Sequence, residues 1–367
     1  MNSLGVALVI LSLIGLFASG CEQPPDYGSD GILLEYVGTL GETRNEDGAL
    51  YGLRSVVFDS RDRAIVVAAD NHDGMPFVLE ADGSFVRVLS KPGAGPGELQ
   101  SPDAVHVDAN DSLFVWDRGT GRISVFGPDL EYTRTYPVEG YAGGTAVRLG
   151  SGDWLHGSSR MSGFPFLLYG SNGELIRAWG DSADYIEPAN GMPMRHSWIA
   201  GKAPEGGAWL VKTSFRAVAV GIDSLGDEVT HLDIDPDWYQ SYDRPVPVSP
   251  DSPPQTRLFG IHEDGAGLWI IGGAVDPEWR SALGDSYRAE GQTLYRIDDP
   301  VRLADGVIEL RNPSDGTLLA RYRDDRILWP ARGGSPNLVY LIRRDDLGFQ
   351  ILDVYRLRYD PDGTVEN

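Results

Sequence analysis

The chain has 367 residues and a formal net charge of −23, with 31 basic against 54 acidic side chains. Nucleic-acid affinity comes mainly from Lys and Arg that neutralise phosphates, so this charge balance excludes a nucleic-acid-binding protein. The length suits one large all-β domain, and 46 Gly with 24 Pro indicate a globular, turn-rich fold.

The N-terminus predicts a secretory signal peptide over residues 1–20. This segment carries no charged side chain, and Leu4 to Phe17 is almost wholly apolar. The apolar run is too short to span a bilayer comfortably as an anchor. It ends in small residues directly before Cys21, which is the one cysteine of the sequence and cannot form an internal disulfide.

The residues Ala18-Ser19-Gly20-Cys21 resemble the lipobox of bacterial lipoproteins. Two positions depart from it: Ala18 replaces the usual Leu, and no Lys or Arg precedes the apolar run. The resemblance implies that Cys21 is the acylated first residue and that residues 21–32 tether it to the fold. By resemblance to lipoprotein sorting, the absence of Asp directly after Cys21 implies that the protein is located at the outer membrane or cell surface. An ordinary signal peptide that leaves a free thiol is the alternative.

Residues 33–367 predict an all-β fold, a six-bladed β-propeller with four-stranded blades. Period-2 apolar runs separated by Gly, Asp, Asn and Pro recur along this segment. The predicted blades A to F span residues 53–89, 103–136, 145–179, 198–232, 258–322 and 327–357. Blade F lacks a fourth strand, and Leu34 to Leu40 is predicted to supply it, which removes an exposed sheet edge.

Blade B resembles a repeat of the NHL family of six-bladed propellers. The resemblance rests on Gly93-Ala-Gly-Pro-Gly97, Leu113-Phe-Val-Trp-Asp117 and Arg122-Ile-Ser-Val-Phe126. Blade A matches moderately, and blades C to F keep only the rhythm of strands and turns. The resemblance implies a bacterial extracytoplasmic propeller, a group in which binding proteins, lyases and lactonases coexist, so the fold alone does not choose the function.

Three long insertions are predicted on one face of the ring. In an antiparallel blade, the loops between strands 2 and 3 lie on the same face as the links between blades. Residues 181–196, 233–256 and 273–306 all belong to this set. We call this side the insertion face.

Two of these insertions contain signals for the start of a helix. Asp235-Pro236 and Asp276-Pro277 each combine a capping Asp with a Pro at the first helical position. The second signal predicts a short helix over the ring, with Trp279 and Tyr287 on one helical face.

The insertion face over blades C to E is predicted to form a ligand funnel, because aromatic and arginine side chains suit sugars, peptides or carboxylates. The candidate ligand-binding residues are Arg195, His196, Trp198, Trp238, Tyr239, Tyr242, Arg244, Trp279, Arg280 and Tyr287. The alternative is that these aromatic residues only fasten the loops to the ring.

A calcium site on the propeller axis is a weaker expectation, by resemblance to lactonases of the gluconolactonase type. The candidate ligands near strand ends are Asp70, Asn71, Asp103 and Asp117. Acidic residues at turns are also ordinary turn formers. The main expectation is therefore a chain without a metal or other cofactor, and the calcium site is the alternative.

The six histidines are predicted to fall at different positions relative to their strands and not to form a zinc site. His106 is predicted to be a buried residue between blades, and only His196 lies where the channel mouth is expected. No Gly-x-Ser-x-Gly motif occurs, and no cysteine beyond Cys21 is available as a nucleophile, so no catalytic residue is assigned.

These features together predict a lipid-anchored envelope propeller without catalysis. Its expected partner is a small molecule, glycan, peptide or envelope protein, and it is expected to touch the membrane only through its lipid. The two alternatives are a calcium-dependent lactonase or other hydrolase acting on the axis, and an assembly scaffold for another envelope protein.

Overall fold

A computed structural model describes the propeller from Gly31 to Asp362. The described residues are 31–42, 49–69, 71–138, 144–158, 164, 166–180, 185–186, 194–195, 198–212, 217–240, 246–289, 292–331 and 337–362. Within these ranges, no helix is long and apolar enough to cross a membrane.

Six antiparallel four-stranded sheets form the blades, and the predicted six-bladed propeller is confirmed. Blade A contains β2 (Leu53–Phe58), β3 (Ala64–Ala68), β4 (Phe77–Leu79) and β5 (Phe85–Val88). Blade B contains β6 (Pro102–Val107), β7 (Leu113–Asp117), β8 (Arg122–Phe126) and β9 (Tyr132–Pro137). Blade C contains β10 (Gly144–Arg148), β11 (Trp154–Ser158), β12 (Phe166–Tyr169) and β13 (Leu175–Trp179).

The second half of the ring follows the same order in blade D and carries an insertion in blade E. Blade D contains β16 (Trp198–Lys202), β17 (Ala208–Lys212), β18 (Val218–Ile222) and β19 (Glu228–Asp233). Blade E contains β20 (Arg257–Glu263), β21 (Leu268–Val275), β24 (Ala304–Arg311) and β25 (Leu318–Asp324). Blade F contains β26 (Leu328–Pro330), β27 (Leu338–Arg344), β28 (Gln350–Tyr359) and β1 (Ile32–Leu40).

The N-terminal strand closes the ring, as the sequence predicts. Strand β1 pairs antiparallel with β28, from Ile32 opposite Tyr359 to Leu40 opposite Leu352. Because β1 occupies the outer edge of blade F, the two ends of the described chain are held by one ladder of hydrogen bonds.

The core consists of six apolar clusters, one between each pair of neighbouring blades. Each sheet is packed on both faces, so its second strand is largely buried: all five residues of β3 and of β7 are buried. Trp116, Trp154 and Trp269 are among the largest fully buried side chains. The indole rings of Trp116 and Trp154 meet edge to face between blades B and C, with centroids 5.8 Å apart.

The insertions form hairpins instead of the predicted helix. Strands β14 (Tyr185–Ile186) and β15 (Met194–Arg195) form one hairpin, and β22 (Leu283–Ala289) and β23 (Gln292–Ile297) form the other. After Asp276-Pro277 the chain makes one 3₁₀ turn, Trp279–Ala282, and then becomes extended. The helix prediction is wrong here because Gly284, Asp285 and Ser286 are poor helix formers and cross-strand pairing is available. The Asp235-Pro236 signal likewise produces only a turn.

Candidate functional site

The insertion face opens into a funnel at the propeller axis. The funnel has a volume of about 290 Å³ and is lined by residues of the first strands of blades A, D, E and F and of the second strand of blade F. Blades A and D lie on opposite sides of a six-bladed ring, so the funnel spans the axis. Its principal lining residues are Arg54, Ser55, Ile199, Phe259, Trp329 and Tyr340.

Aromatic side chains from blades E and F form one wall of the funnel. The rings of Phe259 and Trp329 lie 4.6 Å apart between centroids, inclined at 34°. Tyr340 is the cross-strand neighbour of Trp329. All three side chains are half-buried, so each retains surface that a ligand can contact. A close-packed aromatic pair of this kind offers a flat apolar surface to a ring or an alkyl group.

Glycine permits this aromatic wall to lie close to the backbone of blade E. A Cβ atom at Gly273 would lie 3.1 Å from the ring of Phe259. The neighbouring Gly272 does the same for the opposite face of the sheet, where a Cβ would lie 2.6 Å from the ring of Trp238. The Gly-Gly pair in β21 therefore places one aromatic ring against each face of the strand.

β-Bulges turn two of the lining residues toward the funnel. In β2, Leu53 pairs with Ala68 and Ser55 with Val67, which leaves Arg54 without a cross-strand partner. In β20, Leu258 pairs with Gly272 and Gly260 with Ile271, and Phe259 is the extra residue. A bulge adds one residue to a strand and re-aims its side chain, and bulges are common beside functional sites. Blade B has the same bulge at Asp103, between Pro102 and Ala104.

Two polar side chains complete the funnel. Arg54 is exposed, and its guanidinium forms no hydrogen bond or ion pair with any residue in the described ranges. The Ser55 side chain is buried at 4% exposure, and its Oγ has no hydrogen-bond partner among the described residues. Because Oγ itself exposes almost no surface, Arg54 and not Ser55 presents a polar side-chain group to the funnel.

A second, smaller cavity continues along the axis below the funnel. It has a volume of about 50 Å³ and shares Ile199, Phe259 and Pro330 with the funnel. Its polar lining includes Thr145, Lys202 and two histidines. The cavity is large enough for ordered water. Burial lowers the pKa of Lys202, and the nearby Asp108 carboxylate partly opposes this shift.

The two histidines occupy equivalent positions in opposite blades, which corrects the prediction that the histidines differ in position. His106 pairs with Phe114, the second residue of β7, and His262 pairs with Trp269, the second residue of β21. Both line the small cavity. His106 is also buried against Trp154 of blade C, with ring centroids 5.6 Å apart, as predicted for a residue between blades.

His262 lies in a strongly desolvated position. Burial lowers its pKa to about 4, and Asp264 and Asn337 only partly oppose this shift. Its Nε2 atom has no hydrogen-bond partner in the described part of the chain. The imidazole is therefore neutral at pH 7, and it lies in the wall of the small cavity.

Four of the predicted ligand-binding residues fasten elements to the ring. Trp198, Tyr239 and Trp279 are buried, with exposures of 5%, 6% and 4%. Trp238 is half-buried and donates a hydrogen bond of 2.8 Å from Nε1 to Glu309 Oε1. Glu309 is fully buried and also accepts hydrogen bonds from Arg311 and Arg321. These contacts agree with the alternative in which the aromatic residues hold the loops in place.

The other predicted residues are exposed or outside the described ranges. Arg280 is exposed, stacks over Trp279 at 4.5 Å, and donates a hydrogen bond to the Pro250 carbonyl. Tyr287 is 52% exposed on strand β22. Arg195 lies in β15, and only its backbone is described. Residues outside the described ranges are His196, Tyr242 and Arg244. For all six, a ligand-binding role stays a prediction.

Two candidate metal ligands are engaged in backbone hydrogen bonds. Asp117 is buried and accepts hydrogen bonds from the amides of Gln100, Ser101 and Gly119 and from the Thr120 hydroxyl. Asn71 bridges the Tyr51 amide and the Ala49 carbonyl.

The other two candidate ligands add no evidence for a metal site. Asp103 is half-buried and takes part in contacts of its own, and Asp70 lies outside the described residues. Within the described ranges, no three metal-binding side chains are grouped to hold an ion.

No protein-family model and no curated protein match the chain. Its structure is similar to an exported protein of Bacteroides fragilis NCTC 9343, with TM-score 0.55 and 12% identity over 92% of this chain and 98% of that chain. It is also similar to a DUF4221 family member from Bacteroides vulgatus ATCC 8482, with TM-score 0.58 and 10% identity over 91% and 100%. A calcium-binding protein, regucalcin from Agrobacterium tumefaciens, aligns at TM-score 0.43 and 12% identity over 90% and 99%. At these identities the likeness shows the propeller fold alone, and the NHL-repeat type stays a prediction.

The funnel lies on the insertion face, where the sequence predicts a ligand site, but blades A, D, E and F line it instead of blades C to E, and its described lining residues are not the predicted ones. Arg54, Phe259, Trp329 and Tyr340 lie in the inner strands of blades A, E and F. The available signal was an interruption of the apolar alternation near the start of a first strand, as in Leu53-Arg54-Ser55 and Leu258-Phe259-Gly260.

Proposed function

We propose that this protein is a ligand-binding propeller of the bacterial cell envelope, anchored by a lipid on Cys21, with its binding site in the axial funnel. The observation that carries the proposal is the concave, aromatic-walled funnel on the insertion face. Ligand sites are concave and mostly apolar, with a few polar groups, and Arg54 supplies a charged group here.

An envelope location is supported by the signal peptide and lipobox-like residues at the N-terminus. The Bacteroides fragilis neighbour is likewise described as an exported protein. Replacement Cys21→Ser is expected to release the protein from the membrane fraction of the producing cell. Membrane retention of this variant would contradict the lipid anchor.

Ligand binding is tested with the full chain, purified from membranes in detergent. A panel of oligosaccharides, dipeptides and aromatic carboxylates is screened by thermal shift and then by calorimetry. At least one class is expected to bind, and Trp329→Ala is expected to weaken it about tenfold or more, as is typical of a central aromatic contact. The matched control is Trp179→Ala, since Trp179 is half-buried on the outer strand of blade C.

Three outcomes would contradict the proposal. Equal weakening by both variants would show that the funnel is not the site. An absence of binding to any class would favour the assembly scaffold, which needs no small ligand. A stoichiometric metal in the purified protein, whose removal by chelator lowers the melting temperature, would favour the hydrolase alternative.

A further inference from the structure

The axial funnel contains one charged residue among the described residues that line it, and that residue is Arg54. In a chain with an excess of acidic side chains, an arginine at the axis calls for a specific explanation. Several other arginines of the described ring form ion pairs: Arg63 donates to Asp59 at 2.6 Å, and Arg356 to Asp62 at 2.7 Å. Arg54 forms no such contact within the described ranges.

The backbone positions Arg54 for ligand contact and not for packing. Arg54 is the extra residue of the bulge in β2, so it has no partner in β3, whereas Leu53 and Ser55 on either side of it are paired. The adjacent strand ends are fixed, because the Leu53 amide donates to Gln350 Oε1 at 2.8 Å and Ser55 is buried. A rigid bulge that presents a guanidinium to a cavity lowers the entropic cost of binding through that group.

We propose that the funnel binds a small organic carboxylate whose anionic group pairs with Arg54 and whose apolar body lies against Phe259 and Trp329. This inference rests on the proposed ligand-binding function and names the ligand class. A guanidinium presents two parallel N–H donors that match the two oxygens of a carboxylate. Ser55 lies beside Arg54, but its Oγ is closed to solvent, so of the two side chains the guanidinium is the polar group available to the carboxylate.

The dimensions of the funnel favour a small ligand over a polymer. Its volume of about 290 Å³ is at the low end for ligand pockets, which run from about 300 to 1,000 Å³. The aromatic wall consists of Phe259, Trp329 and Tyr340, a surface that suits one ring or a short branched alkyl group. A molecule with one aromatic ring and one carboxylate satisfies both the wall and Arg54.

The experiment compares an acid with its uncharged amide on the full chain. The probes are 3-phenylpropionate and 3-phenylpropanamide, which have the same ring and chain length and differ in charge. Tryptophan fluorescence, excited where neither probe absorbs, reports binding near Trp329, and calorimetry gives the affinity. We expect the acid to bind about tenfold or more tightly than the amide, because ionic hydrogen bonds are about twice as strong as neutral ones.

Variants at Arg54 separate charge recognition from folding. Arg54→Gln is expected to remove the preference for the acid and to leave the affinity for the amide unchanged, whereas Arg54→Lys retains part of the preference. The control is Arg344→Gln, an exposed arginine at the end of β27 that does not line the funnel, and it is expected to behave as wild type.

Each result has a distinct meaning. Equal affinity for acid and amide, unchanged by Arg54→Gln but weakened by Trp329→Ala, would overturn the carboxylate inference and leave the ligand-binding function standing. Failure of both probes and of the wider panel would overturn both proposals. A carboxylate preference that persists in Arg54→Gln would place the anion elsewhere and also refute the inference.

Discussion

Replacing Asp117 with Asn tests whether this carboxylate is a structural hub or a metal ligand. Both oxygens are occupied: Oδ1 accepts from the amides of Ser101 at 2.7 Å and Gly119 at 3.0 Å, and Oδ2 accepts from the Gln100 amide at 2.9 Å and the Thr120 hydroxyl at 2.7 Å. The side chain thereby ties the link from blade A to the end of strand β7. Its exposure is 1%.

The expected cost follows from the geometry of the amide. In Asp117→Asn, an NH₂ group replaces Oδ2 and faces the Gln100 amide, which cannot reverse its role as a donor. The Thr120 hydroxyl can rotate and accept. The unpaired Gln100 amide and the lost hydrogen bond cost about 1–3 kcal/mol. Loss of the negative charge weakens the remaining hydrogen bonds by about 1 kcal/mol more. We therefore expect the free energy of unfolding to fall by about 2–4 kcal/mol.

The assay is urea unfolding of the full chain, followed by tryptophan fluorescence, in calcium and in chelator. The control is Asp82→Asn, since Asp82 caps an exposed turn through the Ser84 amide and should change the unfolding free energy far less. The hub interpretation requires the same loss for Asp117→Asn in both buffers. A loss no greater than that of the control would refute the hydrogen-bond reasoning. A loss confined to calcium buffer would show that Asp117 binds a metal.

Two further predictions concern the core and the insertions. Burial lowers the pKa of His156 and of His262 to about 4, below that of an unfolded histidine near 6.5, so the unfolded chain takes up protons first as the pH falls. The stability that these two neutral histidines contribute is therefore present above pH 6.5 and is lost between pH 6.5 and 4. The variant His262→Gln should reduce the slope of unfolding free energy against pH by about 1.4 kcal/mol per pH unit, and an unchanged slope would contradict this assignment. Trp238→Phe replaces the indole with a smaller aromatic ring and removes the hydrogen bond to Glu309. We expect the free energy of unfolding in urea to fall by at least about 1–2 kcal/mol, while Arg311 and Arg321 still pair with that carboxylate. A double-mutant cycle with Glu309→Gln that shows no coupling would contradict this assignment.

The ring was predictable because its determinants are local. Each blade repeats four short apolar runs with polar turns, and the β3 and β7 runs are apolar on both faces because blades pack on both sides. The closing strand was also predictable, since blade F ends without a fourth strand and Leu34 to Leu40 has the required pattern. Strand identity and pairing thus follow from sequence periodicity.

The equivalence of His106 and His262 was missed because strand lengths differ. Blade B begins its first strand at Pro102 and blade E at Arg257, so the histidines are offset when counted from the strand start. Each histidine is followed by one strand residue, Val107 or Glu263, before the first hairpin turn. Register in a hairpin is set by its turn, and counting back from the turn places the two histidines at the same level.

The centre of the funnel was hard to predict, because a bulge leaves only a weak trace in the sequence, the interrupted apolar alternation at the start of a first strand. The extra residue is Arg54 in blade A, Asp103 in blade B and Phe259 in blade E, and these side chains share no chemical property. Their common feature is positional: each is the residue that the first strand cannot pair. Large aromatic residues in and beside the insertions were predicted to bind a ligand instead. Four residues of that predicted site, among them Trp198 and Trp238, belong to the packing of the ring.

An anion site in so acidic a protein requires that short-range contacts outweigh long-range repulsion. At physiological ionic strength, charges more than about 8 Å apart in solvent are largely screened, so most of the surface carboxylates act weakly on a molecule in the funnel. Many acidic groups are also neutralised within the ring, as Glu309 is by Arg311 and Arg321. A carboxylate in contact with Arg54 at about 2.8 Å experiences the guanidinium directly, beside an apolar wall that excludes water and strengthens the pairing. The net charge therefore affects the rate at which an anion associates with the propeller, whereas contact with Arg54 at the bulge lowers the rate at which it dissociates.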